Sequence, residues 1–90
     1  MIEMVDVVSV KALDGYRLWL RFSDGSEGVE DLSNLIENGG PMVEPLRDPE
    51  LFARVFISFG VPTWPNGFDL DAINLHRQMR ERGALKKPAA

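Results

Sequence analysis

The sequence predicts an α+β domain, in which a three-stranded antiparallel meander is followed by short helices and a C-terminal helix packed on the sheet. Asp-Gly pairs at residues 14–15 and 24–25 separate three runs rich in β-branched, aliphatic and aromatic residues. Asp-Gly between such runs is a strong signal for a tight hairpin turn, because both residues tolerate positive φ. A helical spacing of apolar residues near the C-terminus completes the expectation.

The composition is that of one globular domain. The chain has 90 residues, of which 44% are hydrophobic and 27% charged, and it has no Cys. A domain of this size buries only about 60% of its unfolded surface, so we expect a small core. The absence of Cys excludes a disulfide or thiol catalysis, and no apolar run approaches the roughly 18 residues of a membrane span. With no basic segment at its start, the chain is expected to be cytoplasmic.

The second strand of the meander has the clearest alternation. In the run YRLWLRF, every second residue is apolar, which defines the face toward the core: Tyr16, Leu18, Leu20 and Phe22. Arg17, Trp19 and Arg21 lie on the opposite face. A short acidic third strand is expected at residues 26 to 31.

The middle of the chain predicts short elements that add one or two strands to the meander. Asp48 is an N-cap with Pro49 at the first helical position, which predicts a short helix over residues 49 to 54. The run VFISFG (residues 55 to 60) predicts a buried strand. The next run, VPTWPN, predicts an edge strand or a strand end, since its two Pro residues lack an N–H donor.

The C-terminal helix is predicted over residues 71 to 82, with Asp71 or Asp69 as its N-cap and Gly83 at its end. Charge changes sign here: residues 1 to 75 carry 5 basic and 13 acidic groups, and residues 76 to 90 carry 5 basic and 1 acidic. The basic segment suits phosphate or an acidic surface, although cations also collect at helix C-termini because of the dipole. We place the domain at residues 1 to 83 and a flexible basic tail at residues 84 to 90.

The order of these segments, and above all the run WPNGFDL at residues 64 to 70, resembles domain of unknown function family 2442. The likeness covers about residues 4 to 76. It implies a small bacterial α+β domain with no established activity. Some family members carry a C-terminal helix-turn-helix, and others resemble the antitoxin half of toxin–antitoxin modules. The residues after Met79 are too few for a helix-turn-helix, so we expect no DNA recognition by that route.

Three groups of residues are candidates for binding a partner, and each has a structural alternative. They are the stripe Arg17, Trp19 and Arg21, the pair Trp64 and Asn66, and the basic helix end Arg77, Arg80 and Arg82. Tryptophan is enriched at interface hot spots, and an Arg-Trp-Arg stripe can stack on bases or hold an acidic segment. Alternatively, a helix covers Trp19, or its stripe joins Lys11, Glu27 and Glu30 in a solvated lattice, while Trp64 fills the core.

An enzymatic role is not expected. His76, the one histidine, lies at an apolar helical spacing, which indicates a half-buried core residue, and no phosphate loop or nucleophile motif is present. We expect no catalytic residue, metal or cofactor. The sequence therefore predicts a protein-interaction module, antitoxin-like, whose partner is a toxin-like protein or a second copy of the chain. The alternative is a nucleic-acid-binding regulator that uses the basic helix end.

Overall fold

The structure is a computed structural model that describes residues 4 to 87. Its elements follow the chain in this order: β1 (Val7–Leu13), β2 (Arg17–Phe22), β3 (Glu27–Asp31), α1 (Ser33–Asn38), a 3-10 helix (Glu44–Arg47), α2 (Pro49–Phe52), β4 (Phe56–Ser58), β5 (Val61–Thr63) and α3 (Ala72–Glu81). The predicted α+β class is confirmed. No helix in this part of the chain is long and apolar enough to cross a membrane.

The first three strands form the predicted antiparallel meander in the order β1-β2-β3. Both Asp-Gly pairs lie at its turns. Gly25 has a φ of 89°, and its N–H donates to the Phe22 carbonyl at 2.9 Å, which closes the β2–β3 connection. Trp19 of β2 pairs with Lys11 of β1 and with Val29 of β3. The side chains of these three residues therefore lie on the same face of the sheet.

The next two strands form a sheet of their own. They were predicted to extend the meander, but β4 pairs only with β5. Each has three residues and β5 contains Pro62, which donates no hydrogen bond, so this hairpin cannot sustain a longer ladder. A single backbone bond from the Val7 N–H to the Gly60 carbonyl, at 2.8 Å, ties the hairpin to β1.

The core lies between the inner face of the meander and α3. Leu18, Leu20 and Phe22 are fully buried there, as the alternation predicted, and Leu75 and Met79 of α3 are buried with them. The side chain of one of the two predicted caps, Asp71, accepts a hydrogen bond from the Asn74 N–H, which starts α3.

The helix ends at Gly83, as predicted. Its N–H donates to the Arg80 carbonyl, and the Ala84 N–H donates to the Met79 carbonyl, which is the pattern of a Schellman motif. This motif reverses the direction of the chain and returns it toward β3.

Residues 84 to 86, the start of the tail that the sequence predicts, lie against the sheet. Lys86 and Glu27 exchange two backbone hydrogen bonds of 2.8 Å, so the chain pairs with the start of β3. Gly28 allows this approach, since a Cβ there would lie 2.2 Å from the Ala84 carbonyl oxygen. The edge of a sheet presents backbone N–H and C=O groups with which this segment can form hydrogen bonds. Residues 88 to 90 of the predicted tail lie outside the described residues.

Candidate functional site

Trp64 is a core residue and not an exposed anchor. Its side chain is 1% exposed, and its ring lies 5.8 Å from the rings of both Phe52 and Phe68. The indole N–H donates to the Phe52 carbonyl at 2.9 Å, so its polar atom is also satisfied inside the fold. Of the two interpretations that the sequence offers for Trp64, this geometry favours the core residue over the partner contact, because a small core needs a large side chain at this position.

Asn66 is also held within the fold. Its side-chain amide donates to the Met42 carbonyl at 2.8 Å, and its side-chain oxygen accepts from the Phe68 N–H at 3.3 Å. Gly67, with a φ of 91°, closes the turn by donating to the Trp64 carbonyl. Through these hydrogen bonds the WPNGF run holds the segment before α3 against the middle of the chain, at Met42 and Phe52.

The outer face of the meander is open to solvent at its centre. Lys11, Arg17 and Arg21 are exposed, Val29 is 39% exposed, and Trp19 between them is half-buried. The Arg21 guanidinium lies 5.6 Å from the centre of the Trp19 ring. The stripe predicted from the sequence exists as a surface, and its tryptophan is covered by arginine rather than by a helix.

The predicted charge lattice forms only in part. Arg21 pairs with Glu27 at 2.8 Å on the outer face. Glu30 instead lies on the inner face opposite Leu18, is 5% exposed, and pairs with Arg82 of the α3 C-terminus. Since a buried carboxylate needs a partner, Arg82 acts as a structural counter-ion.

The other two arginines of the basic helix end are exposed. The Arg77 guanidinium donates to the Asn74 side-chain oxygen at 2.6 Å, one turn back on α3. Arg80 borders a cavity of about 170 Å³ together with His76 and Lys87.

His76 of α3 is a buried member of a polar cluster. It lies 2.9 Å from the carboxylate of Asp24 and edge-on to Phe22, with 5.0 Å between ring centres. Partial burial alone raises the pKa of the Asp24 carboxyl. Hydrogen bonds from the side chain and backbone of Ser26, and the interaction with His76, outweigh it and lower that pKa to about 2. Among the described residues, no three His, Asp or Glu side chains converge on one point that could hold a metal ion.

An exposed apolar hairpin lies outside the three groups of residues predicted to bind a partner. The segment predicted to be a buried strand carries Phe56, Ile57 and Phe59, which are 46%, 36% and 101% exposed. The prediction of burial is wrong, because β4 belongs to a two-stranded sheet separate from the meander, and neither Phe56 nor Ile57 is buried there. Val8 follows Val7, which bonds to this hairpin, and is 53% exposed. We call these four side chains, Val8, Phe56, Ile57 and Phe59, the hairpin surface.

Phe59 at the tip of this hairpin has an unfavourable backbone conformation. Its φ is 51° and that of Gly60 is 77°, and two positive φ angles in a two-residue loop are the mark of a type I′ turn. Asn or Gly is the usual first residue of that turn, and a bulky residue there is a conformational outlier. A Gly after a short apolar run was the one sequence signal for this turn.

Tyr16 shows what normally offsets such strain. It also has a positive φ, 58°, but its ring packs edge-on against Phe52 at 5.5 Å and its hydroxyl donates to the Arg47 carbonyl. These contacts stabilise the fold. Phe59 has the same backbone conformation with a fully exposed ring, so nothing within the fold offsets its strain.

Comparison with known proteins identifies the family. Residues 7–81 match the family described as "Protein of unknown function (DUF2442)", and the chain belongs to it. Among curated proteins, none matches significantly. A crystal structure described as that of "Putative DNA Binding Protein NE0471" from Nitrosomonas europaea is similar, with a TM-score of 0.65 and 26% identity. The match covers 89% of this chain and 52% of that one, so the chain spans about half the length of that protein.

Proposed function

We propose that this member of the DUF2442 family is a protein-interaction module, and that the hairpin surface is where it contacts its partner. The observation that carries the proposal is Phe59, which combines a φ of 51° with complete exposure. The left-handed conformation costs an L-residue roughly 1–2 kcal/mol. Burial of a Phe side chain stabilises by about 1.5–3 kcal/mol, so insertion of Phe59 into a partner would offset its strain.

The hairpin surface has the chemistry of an interface centre. Phe56, Ile57 and Phe59 expose three large apolar side chains within four residues. Exposed large apolar side chains are typical of protein contact sites, and aromatic residues supply much of the binding energy. One aromatic ring contributes about 150–250 Å², whereas a standard interface buries about 800 Å² on each partner. The polar residues around the hairpin would therefore form the rim of a larger contact.

The family resemblance suggests the biological form of this contact. Within the proposal, the domain is the antitoxin-like member of a protein pair and acts by covering a surface of its toxin-like partner. Covering a partner needs shape and apolar anchors and does not need catalytic groups. The chain has the anchors on β4 and its turn, and the polar cluster at His76 is engaged within the fold.

The test is retention of a partner by tagged protein in lysate of the source cells, at about 0.1 M and about 0.5 M salt, with nuclease. A single protein retained at both salt concentrations supports the module. Phe59→Asn should reduce its recovery about tenfold or more, since interface anchors contribute 2 kcal/mol or more. Met42→Asn is the matched control, because it removes a 53% exposed apolar side chain elsewhere. Equal losses for both variants would refute the assignment of the contact to Phe59.

Nucleic-acid binding is the second candidate function. The similar structure carries the description "Putative DNA Binding Protein". In this chain, Arg77 and Arg80 are exposed on the basic end of α3. Phosphate contacts weaken steeply with salt, in contrast to an apolar protein interface. Recovery of nucleic acid that is lost at about 0.5 M salt, and reduced by Arg77→Ala with Arg80→Ala but not by Phe59→Asn, would favour this alternative.

A further inference from the structure

A second surface lies on the side of the domain formed by α3, α1 and the end of β3. It is a groove of about 530 Å³, within the range of about 300–1,000 Å³ typical of binding clefts. Four leucines form its apolar lining: Leu32, Leu35, Leu70 and Leu75. Leu35 and Leu70 are half-buried, so the lining is accessible to apolar side chains from outside. We call it the acidic groove, because its lining also includes four carboxylates.

Carboxylates surround this groove. Its lining includes Glu30, Asp31, Asp71 and Glu81, against one cation, Arg82, which gives the groove a net charge of −3. Hydrogen bonds from the Ser33 backbone N–H and side chain lower the pKa of Asp31, which favours the charged form of this carboxylate. The groove therefore combines apolar contact area with a negative field, which favours cations that carry apolar groups.

The arrangement is unlike a metal site. No three carboxylates within residues 4 to 87 converge on one point. Two of the carboxylates in the groove already form structural interactions within the fold. Asp71 caps α3, and Glu30 pairs with Arg82. A cation held by a compact ligand set is therefore not what these positions provide. Separated negative charges around an apolar floor match the side chains of an amphipathic helix or strand, where Lys or Arg flank Leu-type residues.

We infer that the acidic groove binds a basic amphipathic segment of a partner protein. Leucine-type side chains of that segment contact Leu35 and Leu70, and its Lys or Arg residues lie near Asp31 and Glu81. This contact is separate from the hairpin surface and does not require Phe59. A protein with both surfaces can hold one partner at two points, which raises affinity by effective concentration, or hold two partners at once.

The experiment measures binding of fluorescently labelled 14-residue peptides by anisotropy. The first peptide has Leu and Lys at amphipathic helical spacing, the second has Leu and Glu at the same positions, and the third replaces Leu by Ser in the Lys peptide. We expect the Leu/Lys peptide to bind, the Leu/Glu peptide not to bind, and the Ser/Lys peptide to bind at least about tenfold more weakly, since burial of several apolar side chains is lost.

Charge variants locate the contact. Glu81→Lys reverses a charge on the exposed end of α3, where a cation also suits the helix dipole, so the fold is expected to persist. We expect it to weaken the Leu/Lys peptide about three- to tenfold, as for loss and reversal of an exposed ion pair. Glu37→Lys makes the same charge change on α1 outside the groove and should leave affinity within about twofold.

Four results would overturn the inference. These are equal binding of the Lys and Glu peptides, equal binding of the Leu/Lys and Ser/Lys peptides, equal weakening by Glu81→Lys and Glu37→Lys, and no Leu/Lys binding at about 1 mM, the weak limit of specific recognition. If the protein proves to be a dimer that Glu81→Lys dissociates, the groove is occupied by a second copy, and the assignment to a partner protein is likewise wrong.

Discussion

Replacing Phe59 with Asn should make the free protein more stable while weakening its interaction. The side chain is fully exposed, so its loss removes no packing from the fold. Asn is enriched in the left-handed region, and Asn-Gly is the preferred pair of a two-residue type I′ turn. Relief of part of the roughly 1–2 kcal/mol of strain predicts a gain of about 0.5–1 kcal/mol in the free energy of unfolding. For a domain of this size, Tm should rise by about 3–6 °C.

Urea unfolding followed by circular dichroism measures this change directly. Phe59→Ala is the control, because Ala lacks the short polar side chain with which Asn forms local hydrogen bonds in the left-handed region, so it should change stability by less than about 0.5 kcal/mol. If Phe59→Asn destabilises the protein by about 1 kcal/mol or more, the ring packs against the fold and cannot be a free anchor. If both variants leave stability unchanged, the turn is not strained, and the reason for expecting a partner at this position disappears.

Three further predictions concern the residues that hold the fold together. Trp64→Phe should lower the free energy of unfolding by about 2–3 kcal/mol in urea titrations. The substitution removes side-chain volume from the core, and it removes the indole N–H that donates to the Phe52 carbonyl. A loss under about 0.5 kcal/mol would contradict the structural role of Trp64 in the core. Arg82→Ala should cost about 1–2 kcal/mol by the same assay, since it leaves the buried Glu30 carboxylate unpaired, and Arg77→Ala should cost less than about 0.5 kcal/mol. The pKa of Asp24 is lowered from 3.8 to about 2, so its stabilisation is complete above pH 3.8 and is lost as pH falls toward 2. In Asp24→Asn this acid-dependent loss should be smaller, and an unchanged pH profile between pH 5 and 2 would refute the role of its hydrogen bonds.

The local elements of the fold could be predicted because each has a short-range cause. Asp-Gly turns, strand alternation, the caps Asp48 and Asp71, and the stop at Gly83 all depend on residues within one or two turns of each other. The structure confirms each of them, including the acceptance of the Glu50 N–H by the Asp48 side chain. The WPNGF run was identified as distinctive, and its structural role agrees with the core interpretation of Trp64.

The surface could not be predicted because it depends on how distant segments pack. The VFISFG run has the apolar character of a buried strand, and only its separation from the meander exposes Phe56 and Phe59. Glu30 has the position of a solvated cross-strand charge, yet the end of α3 covers it with Arg82. Residues 84 to 86 have a tail-like composition, and Gly28 provides the space in which they pair with β3. Each of these outcomes depends on contacts between residues far apart in sequence.

The most direct test of the interaction-module proposal is site-specific photo-crosslinking in living cells of the source organism. A benzophenone-bearing phenylalanine at position 59 preserves the aromatic anchor, and the same residue at Glu50, exposed on α2, is the control. The proposal predicts one defined protein adduct at position 59, resistant to nuclease, and none at Glu50. The absence of a protein adduct at position 59, together with nucleic-acid adducts when the probe replaces Arg80, would contradict it.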